Sequence, residues 1–105
     1  MAQFTVCRNK NPQTSSAVPY LLDVQNDLLD DLETRVVVPL YPLSSIKGKP
    51  LRTLTPILDI EGKRFVMLTP QLAGIPKSEL GAPVTRVEQY RYEIIAAIDF
   101  LLTGV

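Results

Sequence analysis

The sequence predicts a mainly β fold closed by one C-terminal α-helix, and three observations carry that reading. All nine prolines fall between positions 12 and 83, where each removes a backbone donor and interrupts ladders and helix interiors. Short β-branched and aromatic runs separate them, bounded by polar or glycine-containing turns. Residues 84–105 hold no proline and carry apolar side chains at the period of a helix. With 105 residues the chain is long enough for one domain, 1–105, and too short for two.

Each element follows in order. Gln3 to Arg8 reads as a strand, and Asn9 to Ser16 (NKNPQTSS) as a polar loop. Val18 to Val24 returns as a strand, with Pro19 at an edge or entry position. Arg35 to Leu40 (RVVVPL) is the strongest strand signal in the chain. Thr55–Ile60 and Lys63–Thr69 flank Glu61-Gly62 as a hairpin, which sets Asp59 opposite Arg64. Gln71 to Gly74 predicts a single helical turn capped by Gly74, and Ile75-Pro76 a loop. Glu79 to Val84 reads as a turn or short extended piece. Val87, Tyr90, Arg91, Ile94, Ala97, Ile98 and Leu101 then make one face of an amphipathic helix. Thr85 with Glu88 predicts its capping box, and Gly104 its left-handed ending. The opposite face, Tyr92, Ile95, Ala96, Asp99 and Thr103, is less polar than a solvated face requires and asks for a partner.

Composition narrows the chemistry. Eleven basic residues balance eleven acidic ones, which argues against a dedicated nucleic-acid binder. The absence of His excludes imidazole catalysis and His-containing zinc sites. A single cysteine, Cys7, gives no internal disulfide and no thiolate cluster; in its strand it reads as a small buried hydrophobe. The run Asp23 to Glu33 lacks the spacing of an EF-hand and reads as a solvated acidic loop. Lys47, Lys49 and Arg52 read as an exposed flexible loop. Arg35 and Arg64, beside strands, read as partners of carboxylates. No glycine-rich phosphate loop, signal-peptide pattern or membrane-spanning apolar run occurs. The residues therefore favour an interaction protein of the cytoplasm over an enzyme, with no cofactor and no membrane partner.

Several segments carry a family resemblance: Gln3-Phe4-Thr5-Val6, the block Leu22-Asp23-Val24-Gln25-Asn26-Asp27-Leu28-Leu29-Asp30, and Arg35-Val36-Val37-Val38-Pro39-Leu40. Thr55 to Ile60, Phe65 to Thr69, Ile75-Pro76, Leu80-Gly81 and the ending Ile94 to Val105 continue it. In this order they resemble the CcdB family of toxins from toxin–antitoxin modules, over essentially the whole chain. The resemblance implies an SH3-like homodimer, each subunit with a twisted antiparallel sheet, a small side sheet and a C-terminal helix. It further implies poisoning of DNA gyrase through its A subunit, neutralisation by a CcdA-like antitoxin, and repression of the shared operon by the toxin–antitoxin complex, so that operator DNA is met only through the antitoxin.

Carried over by position, the resemblance assigns gyrase contacts to Leu28, Tyr92, Ile95, Asp99, Thr103, Gly104 and Val105; antitoxin contacts are expected on the polar loops near Arg8–Ser16 and Leu43–Lys49, at Arg8, Lys10, Ser45 and Lys47. One departure stands out. The family's best-known member has Trp where this chain has Thr103, and loss of such an aromatic anchor commonly costs about 2 kcal/mol or more. The rival from another class is an endoribonuclease toxin of the same fold superfamily. A third reading is a decayed homologue that binds antitoxin without harming gyrase.

Overall fold

The computed structural model describes residues 2–104. Seven strands run in chain order: β1 (Thr5–Asn9), β2 (Tyr20–Asp23), β3 (Thr34–Pro42), β4 (Ile57–Ile60), β5 (Lys63–Met67), β6 (Ala73–Pro76) and β7 (Leu80–Arg86). One helix, α1 (Arg91–Thr103), follows them. Every pairing is antiparallel, in the order β4-β5-β3-β2-β1-β7, and β6 lies against the first half of β3. The expected hairpin, β4–β5, joins the far end of β3, so the smaller strands are continuous with the main sheet. No helix among the described residues is long and apolar enough to cross a membrane.

The pleat sorts side chains between two faces. Val6, Leu22 and Val38 stand in register across β1, β2 and β3, all fully buried on the face that α1 covers with Ile94 and Ala97. Phe4, Leu40, Leu58, Ile60, Phe65 and Met67 complete that core. Burying each large apolar side chain contributes about 1.5–3 kcal/mol. Cys7 and Val37 point the other way and pack with Leu80, Leu21 and Ile75 in a smaller cluster.

Pro39 occupies a central strand without breaking it. On one side β3 pairs with β6 only up to Val37 and with β5 only from Leu40, so Pro39 falls in the gap between them. Its carbonyl accepts from Leu68 N–H at 3.1 Å, and the missing N–H, pointing the same way, costs no ladder bond. The β4–β5 turn uses Glu61 (φ 51°) and Gly62 (φ 83°), the two positive torsions of a type I′ hairpin, and sets Asp59 opposite Arg64.

Tertiary pairing overrides several local expectations. The helical turn predicted at Gln71–Gly74 is a 3-10 turn at Thr69–Gln71, and Gly74 is no cap, because it pairs with Val36 inside β6. Ile75-Pro76, expected as loop, belongs to the same strand. Of the two readings of Glu79–Val84, a turn or a short extended piece, the extended one holds: Leu80–Arg86 is β7, longer than expected, and pairs with β1 across two register shifts. Thr85 and Arg86 face Val6 and Thr5 in that ladder, so Thr85 cannot cap a helix. A 3-10 turn at Glu88–Tyr90 intervenes instead, and α1 starts at Arg91 without a side-chain cap. Its end is as expected: Gly104 adopts φ 74° and donates to Phe100 O at 2.9 Å.

Candidate functional site

The segment after β2 is anchored by a buried ion pair. The fully buried Arg35 guanidinium donates to both Asp23 carboxylate oxygens, at 2.8 and 3.0 Å, and to Asp30 Oδ1 at 3.1 Å. A weaker bond reaches Gln25 O at 3.3 Å. Gln25 is buried as well; its side chain accepts from Val36 N–H and donates to Leu29 O, both at 3.0 Å. Lys77 adds a hydrogen bond to Asp30 O. The acidic run is thus split: Asp23 is structural and buried, whereas residues 26–33 are exposed. Within this frame a 3-10 turn, Asp27–Leu29, presents Leu28, which is 89% exposed. Leu29 and Leu32 are exposed beside it.

The outward face of α1 forms the second part. Arg91, Tyr92, Ile95, Ala96 and Asp99 line an open depression of about 440 Å³. Tyr92 is 74% exposed, while Ile95 and Ala96 are half-buried on its floor. Asp99, Thr103 and Gly104 are exposed. Thr103 Oγ1 donates to Asp99 O at 2.7 Å, so its proton is engaged by its own helix and a partner meets its methyl and an oxygen that can only accept. Val105 lies outside the described residues.

A cleft of about 280 Å³, lined by Gln3, Phe4, Asp27, Arg86, Glu88 and Arg91, lies between these parts. Asp27 accepts from Gln3 N–H at 2.7 Å, Arg86 pairs with Glu88, and the Arg91 guanidinium lies 5.4 Å above the Phe4 ring. Phe4 has φ 66°, a left-handed torsion uncommon for a bulky residue, and is held there by bonds from its N–H to Asp23 O and from Val87 N–H to its carbonyl. Asp27 adjoins Leu28 and Arg91 adjoins Tyr92, so this cleft connects the two surfaces. The resemblance singled out Leu28 and Tyr92 but not the residues between them. No signal for them was legible in the sequence: with the helix expected to start at Thr85, Arg91 falls in its second turn, and only the observed start at Arg91 sets this cation against the dipole.

The four residues assigned to the antitoxin lie elsewhere, Arg8 within β1 and the other three beyond strand ends. Arg8 and Lys10 are exposed at the end of β1, where Lys10 Nζ donates to Ser78 O at 3.1 Å. Ser45 Oγ donates to Pro42 O at 2.7 Å, and Lys47 is exposed beyond it. Cys7 is fully buried; burial above all, with the nearby Asp23 carboxylate second, pushes its thiol up to about 11. At neutral pH it is therefore no nucleophile. Among the described residues no group of acidic or cysteine side chains is placed to hold a metal ion. What the surface offers is shape, apolar contact and a few charges.

Residues 3–104 match the family model described as CcdB protein. The chain belongs to the CcdB family. Membership makes it a toxin of a toxin–antitoxin system. Among solved structures the fold is similar to an endoribonuclease in complex with its cognate antitoxin from Mycobacterial species. That likeness has a TM-score of 0.71 at 16% identity and covers 97% of this chain and 94% of the other. At that identity it establishes the CcdB chain's architecture only.

Proposed function

We propose that this CcdB-family toxin acts by binding the A subunit of DNA gyrase and trapping the enzyme on cleaved DNA, without catalysing a reaction itself. The observation that carries the reading is the outward face of α1, where exposed Tyr92 stands over the half-buried Ile95 and Ala96 beside the helix end. A poison needs only to bind one state of its target more tightly than the others, because differential affinity is what shifts a population. Leu28, Asp99, Thr103, Gly104 and Val105 extend that contact surface. Exposed Phe100, Leu101 and Leu102 on the last turns of α1 support pairing of two copies. A cognate antitoxin neutralises the dimer, with Arg8, Lys10, Ser45 and Lys47 among its contacts. The toxin–antitoxin complex, in the cytoplasm, represses its own operon.

The endoribonuclease reading keeps one specific support, the fold shared with an endoribonuclease. A paired assay separates the two. Purified protein is incubated with gyrase and supercoiled DNA in one arm and with RNA alone in the other. Gyrase-dependent DNA breaks with intact RNA are expected; RNA cleavage in the absence of gyrase would overturn the proposal.

A further inference from the structure

Gln25 stands where the chain leaves β2 and its ladder with β3. Val24 N–H still donates to Val36 O at 3.0 Å, half of one further rung, but the returning bond is not made by backbone. Val24 O accepts from the Gln3 side-chain amide at 3.1 Å, and Val36 N–H turns instead to Gln25 Oε1 at 3.0 Å. Nε2 of the same amide donates to Leu29 O, also at 3.0 Å. The side chain thus stands in for a peptide unit, accepting from β3 and donating onward to the turn. Its own backbone is fixed as well: Gln25 N–H donates to Asp23 Oδ1 at 3.0 Å, and Gln25 O accepts from Arg35. The residue is 5% exposed, so these bonds are made away from water, where they are stronger.

The turn it reaches has no apolar anchor. Residues 26–34 are all exposed, and the 3-10 turn Asp27–Leu29 buries no side chain. Asn26 Oδ1 accepts from Leu28 N–H at 2.8 Å and Asp27 Oδ1 from Gln3 N–H at 2.7 Å, but both bonds lie within reach of water. Such a segment is held by its polar bonds alone, and exposed ones exchange with water at little cost.

We propose that Gln25 is a positioning residue: its buried amide fixes the turn that carries Leu28, so that target affinity depends on a side chain with almost no surface of its own. The inference rests on the gyrase reading for the target and on the hydrogen bonds for the residue. A turn ordered beforehand loses no further freedom when Leu28 is bound, which is how preorganisation raises affinity. Asp23 and Arg35 hold the base of the segment, and Gln25 passes that hold to Leu29, next to Leu28. The chemistry requires an amide, since Glu keeps the acceptor without the donor and Met keeps neither.

Two readouts on the full chain test it. In Gln25→Met and Gln25→Glu, hydrogen exchange is expected to quicken at least about tenfold at the amides of Leu28, Leu29 and Leu32, while Leu22 and Val38 in the β2–β3 ladder keep wild-type rates. Gln25→Glu retains an acceptor for Val36 N–H, so the turn is tested even where Gln25→Met unfolds. Isothermal titration with the gyrase A subunit reads the coupling. The folded Gln25 variant and Leu28→Ala are each expected to weaken binding about tenfold, and the double variant no more than Leu28→Ala alone. A role of Gln25 apart from Leu28 gives losses that multiply instead. Unchanged exchange at the turn, wild-type affinity despite a loosened turn, or multiplied losses in the double variant would overturn the proposal. Should the wild-type chain not bind the A subunit, the gyrase reading fails by itself, and the exchange rates still decide whether Gln25 holds the turn.

Discussion

Arg35 shows how much one buried charge can control. Its guanidinium satisfies both oxygens of Asp23 and reaches Asp30, all from a position with no exposed surface. Truncating it leaves the Asp23 carboxylate buried and unpaired, a change that costs about 3–5 kcal/mol. Arg35→Ala is therefore expected to lower the urea midpoint sharply, and Asp23→Asn to do so less, because an amide can still accept from the guanidinium. Thr69 predicts the opposite. Its hydroxyl is fully buried and has no hydrogen-bond partner, so a desolvated polar group is carried without return. Thr69→Val, of nearly the same shape, should leave stability unchanged or raise it by about 1 kcal/mol in the same assay. Cys7 gives a pH signature. Burial pushes its folded thiol up to about 11 from the ordinary 9.0, so between those limits the unfolded chain loses a proton that the folded chain retains. Stability contributed by Cys7 is thus complete below pH 9 and is lost as pH rises toward 11. Denaturant titrations should show the stability difference between wild type and Cys7→Ala moving against wild type across that window and staying constant below it.

Between β1 and β7 the elements approach as closely as backbones allow. A Cβ on Gly81 would lie 2.8 Å from Arg8 O and 3.0 Å from Arg8 Cβ, whereas one on Gly74 in β6 would meet nothing within 4 Å. Gly81→Ala is expected to destabilise by about 1–3 kcal/mol and Gly74→Ala by much less, a contrast that thermal unfolding of the pair would read directly. The same junction explains where sequence reasoning stopped. Strands carrying their own signal were legible: the Val36–Val38 run, the alternation around Glu61-Gly62, and β2 after Pro19. β6 and β7 were not. Ala-Gly-Ile-Pro and Leu-Gly-Ala-Pro-Val have weak strand propensity and become strands because β3 and β1 offer them open edges. The same pairing removed Thr85 from the helix start, since its backbone was already committed to the ladder. At the candidate site, the α1 stripe was visible from its period. The cleft joining it to Leu28 needed Gln3, Phe4 and Asp27 beside Arg86, a juxtaposition that only the folded N-terminus creates.

As a whole the molecule turns a mixed, aromatic-tipped helix face outward, with Tyr92 beside Arg91 and Asp99. The proposed action on gyrase then has to find its anchor at the helix face, and Thr103 does not supply one, because its hydroxyl is turned back onto Asp99 O. Tyr92 is the aromatic available there, 74% exposed above the depression that Ile95 and Ala96 floor. If it carries the contact, Tyr92→Ala should weaken binding to the gyrase A subunit by about 2 kcal/mol, roughly thirtyfold in Kd. Thr103→Ala, losing a methyl and a hydroxyl already bonded to its own helix, should cost less than about threefold. Both positions are exposed, so neither change should move the unfolding transition by more than about 0.5 kcal/mol. Removal of Thr103 to Val105 deletes the tip itself and should abolish growth arrest while leaving the sheet and its core folded. Isothermal titration against the A subunit ranks the three variants. Equal affinity for wild type and Tyr92→Ala would move the anchor away from α1, and the Leu28 surface would then have to carry the contact.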